Sequence, residues 1–210
     1  MTSLEGTNED DSYFTVGSPC GPIEFKEKGS RFISFIYPVR STDEIQKRLK
    51  YLRKKYHNAT HVCYAFRLGE GMEDSFRYID DGEPGNTAGL PIYNEIRNAE
   101  YFNILVAVVR YFGGTKLGTG GLARAYGQSA RLIVEASEKV KEWVTEEVDL
   151  SYPFDSTGDV MKIVKDFSLS IISQYYLEDG IQIKLVVPAS KKKDLKRLLT
   201  DNSRGRVHFL

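Results

Sequence analysis

The chain has 210 residues, 29 of them basic and 29 acidic, and no formal net charge. That length is at the top of the range for one domain and suits two of about 100 residues. A hydrophobic share of 41%, with 13 Tyr and 11 Phe, excludes a wholly disordered chain. Neutrality argues against polyanion binding by bulk attraction alone. No apolar run reaches the ~18–20 residues of a membrane span, and the first twenty residues lack the basic-then-apolar order of a secretion signal. A soluble, cytoplasmic globular protein with no membrane partner is expected. Its two cysteines, Cys20 and Cys63, make no disulfide framework.

Residues 1–11 are polar and acidic and predict a flexible tail. Short alternating runs at Tyr13–Val16, Ile23–Glu27 and Arg31–Val39 then read as strands, with a turn at Lys28-Gly29-Ser30. Ser41 followed by Glu44 is a capping-box signature. The recurrence of Ile45, Leu49, Leu52 and Tyr56 predicts an amphipathic helix ending near His57. Strands follow at His61–Leu68 and Ser75–Ile79. Thr87–Asn98 reads as a short helix with Thr87 as its cap, and Ile104–Phe112 as a central strand. A glycine-dense loop leads into a helix from about Gly121 whose buried face includes Leu122, Ala125, Tyr126, Ser129 and Ile133.

The pattern changes near Lys141. Beyond it come a strand at Glu142–Pro153, a helix around Val160–Phe167, strands at Leu169–Leu177 and Ile181–Val187, a helix around Leu195–Leu199, and a last strand at Arg206–Leu210. That βαββαβ order is the order of a ferredoxin-like domain. The fold class is therefore α+β, with a first domain over 12–140 and a second over 141–210.

Three segments carry chemistry. Between Arg110 and Arg124, Gly113, Gly114, Gly118, Gly120 and Gly121 put five glycines in nine positions between a strand and a helix. Open amides there, with Lys116, Arg110 and Arg124, suit a phosphate or carboxylate. The bland counterpart is a tight loop that needs positive φ and close packing. In the acidic segment, Asp80, Asp81 and Glu83 have the composition of a Mg²⁺ site, or of an acidic turn with Asp caps. Alternation places His61 and Cys63 on one strand face, as pocket wall, redox group or metal ligand. Basic stripes line two helices: Lys47, Lys50 and Lys54 on one, Lys192 and Lys196 on the other. Each is a solvated face or a surface for phosphate backbones. The Ile181–Val187 strand lacks the paired aromatics of an RNA-recognition module, which excludes that reading.

The runs Asp80-Asp81-Gly82-Glu83-Pro84…Thr87-Ala88-Gly89-x-Pro91, Val108-Val109-Arg110-Tyr111-Phe112-Gly113-Gly114-x-x-Leu117-Gly118-x-Gly120-Gly121-Leu122-x-Arg124-Ala125-Tyr126 and Ala59-Thr60-His61-x-Cys63-Tyr64-Ala65 together resemble the YigZ/IMPACT family. One departure is Gly85-Asn86, where the family more usually has Ser-Gly. The resemblance implies a first domain like domain IV of elongation factor G and a second like that factor's last domain, both associated with RNA and ribosome contact. Eukaryotic relatives oppose a starvation-responsive kinase that controls translation initiation, through a further domain that these signatures do not include. The implied function is a non-enzymatic regulator of translation that binds RNA, the ribosome or a translation factor, with no cofactor. The alternative is an enzyme acting on a phosphorylated or acidic small molecule where the glycine-rich and acidic loops meet.

Overall fold

The computed structural model describes residues 12–69 and 74–210. The expected acidic tail lies outside the described residues. The chain forms two compact units, 13–142 and 143–210.

The first unit runs β1 (Ser12–Val16), β2 (Cys20–Glu27), β3 (Ser30–Pro38), α1 (Thr42–Lys55), β4 (His61–Gly69), β5 (Asp74–Ile79), α2 (Gly89–Asn98), β6 (Ile104–Tyr111), α3 (Gly118–Ala136) and β7 (Lys139–Trp143). Five strands make one antiparallel sheet in the order β2-β3-β6-β4-β5, and β1 pairs with β7. Because successive strand residues face opposite sides, the sheet is buried twice. Phe32, Cys63, Val106 and Val108 lie beneath α2 and α3. Ile33, Val62, Leu105 and Val109 lie beneath α1, which buries Ile45, Leu49 and Leu52. Three such side chains stabilise the helix's docking by roughly 1.5–3 kcal/mol each. The expected cap on α1 is present: Ser41 Oγ accepts from Glu44 N at 3.3 Å, and Glu44 Oε2 accepts from Arg40 N at 2.9 Å.

The second unit runs β8 (Thr145–Pro153), α4 (Thr157–Asp166), β9 (Ser170–Tyr176), β10 (Gly180–Pro188), α5 (Lys192–Asn202) and β11 (His208–Phe209), with antiparallel sheet order β11-β8-β10-β9. Val148, Leu150 and Tyr152 alternate inward from β8, and Ile181, Ile183, Leu185 and Val187 from β10. They meet Val160, Ile163 and Val164 of α4 and Leu195 and Leu199 of α5. The whole is a mixed α/β protein.

Several boundaries differ from the sequence reading. Glu142–Pro153 is two strands: β7 ends at Trp143 and β8 begins at Thr145, because the chain leaves one sheet and enters another. Residue periodicity does not mark a change of partner. β2 begins at Cys20 rather than Ile23, and the last strand shrinks to His208–Phe209. α3 begins at Gly118 rather than about Gly121, so Gly118 and Gly120 fall in its first turn instead of preceding it. α2 begins at Gly89 rather than Thr87.

Candidate functional site

Register brings distant residues to one end of the sheet, on its α2/α3 face. His61 of β4 and Phe32 of β3 both lie opposite Arg110 of β6, and Cys63 lies opposite Val108. Tyr126 reaches the same place from the buried face of α3, its ring 5.1 Å from that of Phe32.

The acidic loop closes over this end, and Asp80 holds it in shape. Its Oδ1 accepts from the amides of Ala88 at 2.9 Å and Gly89 at 2.8 Å, and its Oδ2 from Asn86 N at 2.9 Å. Asp80 therefore caps α2 from eight residues upstream, where a negative charge meets the helix's positive end. The residue at the cap position, Ala88, has no side chain for the task. Thr87 does not cap: its hydroxyl donates to Pro84 O at 2.6 Å and tightens the loop. Asp81 and Gly82 adopt φ of +47° and +90°, and Asn86 stands at +60°. The family's more usual glycine falls at position 86, where that φ is least strained, and Asn is among the next best tolerated there. A Cβ on Gly89 would lie 2.6 Å from Ile79 N, so the start of α2 sits directly on β5.

Asp81 ties the loop to both faces of the sheet. Its Oδ2 accepts from Val62 N at 2.7 Å and its Oδ1 from Arg53 of α1 at 3.3 Å. Its carbonyl accepts from His61 Nδ1 at 2.7 Å, which assigns a proton to that nitrogen and turns Nε2 toward Glu83 at 3.8 Å. Glu83 is the hub. With only 4% of its side chain exposed, its Oε1 accepts from Arg110 Nη1 at 2.5 Å and from Tyr126 Oη at 2.8 Å. Arg110 Nη2 lies 3.4 Å from Ser30 Oγ, and its guanidinium sits 5.5 Å from the Phe32 ring and 5.7 Å from the Phe112 ring. Arg110 Nε has no partner among the described residues.

Cys63 Sγ lies 2.9 Å from Asp80 O and 3.3 Å from Tyr126 Oη. Burial pushes the Cys63 thiol far above its ordinary range, and neighbouring carboxylates add to that. Burial likewise raises the Tyr126 phenol, with Cys63 and Glu83 contributing. Both groups are therefore neutral near pH 7 and unsuited to nucleophilic attack there. The thiol's contribution to stability is fully present below the ordinary thiol pKa and is lost as pH rises beyond it. Iodoacetamide at pH 8 is expected to label half-exposed Cys20 and spare Cys63 until the protein unfolds. Mass mapping of the alkylated peptides would expose rapid Cys63 labelling and contradict this.

The glycines divide by role. A Cβ on Gly113 would fall 1.8 Å from the carbonyl carbon of Gly29, and Gly113 N donates to Ser30 Oγ at 3.2 Å. Gly113 thus lets the segment after β6 lie against the β2–β3 turn, backbone on backbone. Gly114 and Gly118 have φ of +87° and +69° and open space around them. Lys116 and Arg124 are exposed and form no hydrogen bond or ion pair among the described residues. They do not join the buried cluster.

The structure thus brings together His61, Cys63, Asp80, Asp81, Glu83 and Arg110, and, through Ser30, Gly113. Sequence reasoning missed Ser30 as a partner of Arg110 and Tyr126 as a partner of Glu83. The signal for the latter was a tyrosine on a buried helix face, whose hydroxyl needs a partner. Among the described residues no three His, Cys, Asp or Glu side chains group as a metal site. Of the basic stripes, Lys47, Lys50 and Lys54 are exposed on α1 without partners among the described residues. On α5, Lys192 pairs with Glu146 and Lys196 lies 5.0 Å from the Phe209 ring. Among the described residues no helix is long and apolar enough to cross a membrane.

Comparison with known proteins places these motifs. Residues 28–134 match the model of the Impact N-terminal domain. A Thermus thermophilus protein named "IMPACT family member in pol 5'region" is 36% identical, over 85% of this chain and 96% of that one. Rat "Protein IMPACT" is 31% identical over 52% of this chain, which is 35% of the rat protein. A solved structure described as "Crystal structure of an hypothetical protein" superposes with a TM-score of 0.72 at 26% identity, covering 95% of this chain and 97% of that one. With the domain match spanning the acidic loop, the glycine segment and the strand between them, and with relatives aligned along nearly the full chain, this protein belongs to the YigZ/IMPACT family.

Proposed function

We propose that the protein is a non-enzymatic, RNA-contacting regulator of translation, with α1 as its surface for phosphate backbones. The observation that carries this reading is the exposed row Lys47, Lys50 and Lys54, without internal partners among the described residues. Spacings of three and four residues place the row on one helical face. Neighbouring cations are engaged: Arg53 with Asp81, Arg48 over Tyr37, and Lys55 near Tyr51 and Tyr56. An unneutralised lysine row on a neutral protein is suited to local rather than bulk attraction. The family's eukaryotic members, and the likeness to domain IV of elongation factor G that the family resemblance implies for the first unit, support translation as the setting. The second unit's strand order, with β8 and β10 central, supports its reading as ferredoxin-like.

The alternative, an enzyme at the acidic and glycine-rich loops, draws less support. Asp80 is bonded to three amides, Asp81 to an amide and Arg53, and Glu83 to Arg110 and Tyr126. The test is retention of structured RNA or ribosomal particles in low salt. Substituting Lys47, Lys50 and Lys54 together by Gln is expected to weaken duplex RNA binding at least tenfold. The plot of log K against log salt should flatten by roughly 2.7, at ~0.9 per lost phosphate contact, a B-form value taken for duplex RNA. Failure of the unmodified protein to bind at low salt, or an unchanged slope in the variant, overturns the reading.

A further inference from the structure

A groove of 660 Å³ crosses the amino-terminal half of α3, lined on one side by the end of the β2–β3 hairpin and on the other by α2. Its size falls within the roughly 300–1,000 Å³ of small-ligand sites. Phe25, Leu117 and Pro91 supply apolar wall, Lys28, Arg124 and Arg131 supply positive charge, and Glu27 and Glu95 supply negative charge, which leaves the lining one positive charge in excess. Neither Lys28 nor Arg124 has a hydrogen-bond or ion-pair partner among the described residues. By contrast Arg131, also in the groove, is engaged with Glu95 at 3.3 Å. Two unneutralised cations beside a half-buried aromatic ring have the chemistry of a phosphate joined to a flat, stackable ring.

Lys28 strengthens the case. It stands at φ +45° and Gly29 at +80°, the pair of left-handed residues that makes a two-residue hairpin turn. Asn or Gly fits the first of those positions with less strain than lysine. The backbone therefore gains nothing from a lysine here, whereas its ammonium lines the groove.

We propose that this groove holds one nucleotide of single-stranded RNA, with the phosphate between Lys28 and Arg124 and the base against Phe25 and Leu117. The proposal rests on the RNA-contacting reading above and adds a second site to it, on the opposite face of the sheet from α1. A duplex keeps its bases stacked and cannot present one to the ring, so the groove selects single strands.

The experiment is fluorescence anisotropy between about 50 and 200 mM salt. The probes are a fluorescein-labelled oligouridylate and a labelled RNA duplex of equal length. Lys28→Asn, Arg124→Gln and the double variant are compared with the unmodified protein. The double variant is expected to lose at least tenfold in oligouridylate affinity, and its salt slope should flatten by about 0.7, the value for one single-strand phosphate contact. Duplex binding should be unchanged. Lys28→Asn should melt no lower than the unmodified protein, because asparagine suits the turn, which separates lost binding from lost fold. Oligouridylate binding with an unchanged slope in the double variant overturns the groove and leaves the α1 reading standing. Equal losses for oligouridylate and duplex also overturn it. Failure of the unmodified protein to bind either RNA at low salt overturns both.

Discussion

Glu83→Ala is expected to lower the unfolding free energy of the first unit by about 3–5 kcal/mol, the range for breaking a buried ion pair from one side. The side chains of Glu83 and Arg110 are 4% and 6% exposed, so neither has water to fall back on. Removing the carboxylate leaves a guanidinium whose Nε already lacks a partner and whose remaining bond, to Ser30 Oγ, is 3.4 Å long. Tyr126 Oη loses its acceptor at the same time. Glu83→Gln preserves shape and one acceptor oxygen, so it should cost distinctly less than Ala. Urea denaturation of Glu83→Ala, Arg110→Met and the double variant makes the cycle. Truncating both partners should cost clearly less than the sum of the single changes, since the unpaired charge is then gone. A Glu83→Ala loss under about 1 kcal/mol would mean that the pair is effectively solvated.

Asp80→Ala should cost about 2–4 kcal/mol, more than an ordinary lost helix cap at ~1, because three backbone donors lose a charged acceptor together. Asp80→Asn is the informative companion. Its carbonyl can still accept from Ala88 N and Gly89 N, but its amide group would face Asn86 N, a donor against a donor. Amide exchange followed by NMR should therefore accelerate at positions 86, 88 and 89 in the alanine variant. In the asparagine variant it should accelerate chiefly at 86. Unchanged protection of Ala88 and Gly89 in Asp80→Ala would show that α2 is held by its packing on β5 alone. These two variants also bear on function, since they loosen the loop while leaving Lys47, Lys50 and Lys54 in place. The RNA binding proposed for α1 should survive both at temperatures where the protein stays folded.

Much of the molecule was legible in the residues. The capping box at Ser41 and Glu44, the apolar spacing of α1, and the β-branched run of β6 are local patterns, and each formed the element its period implies. The composition of the acidic loop was legible too, but its work was not. Asp80, Asp81 and Glu83 look alike in sequence as three carboxylates available to a cation. Their actual partners sit 8 or 9 residues away for Ala88 and Gly89, 19 for Val62 and 27 for Arg110. The glycine segment was similarly ambiguous. Gly113 is needed for contact with Gly29, while Gly118 and Gly120 belong to a helix that was expected to start at about Gly121.

The sequence by itself determined the order and type of most elements, the family, and the neutrality within which an exposed lysine row stands out. Those depend on residues within a few positions of one another, where period, capping and turn chemistry act directly on the backbone. Only the tertiary structure decided which charges remain available. A side chain's charge is free or engaged according to what the sheet register sets beside it, and register is a long-range property. It placed Arg110 between His61 and Phe32 and beneath Glu83, while Lys28, Arg124 and the α1 lysines were left open to solvent.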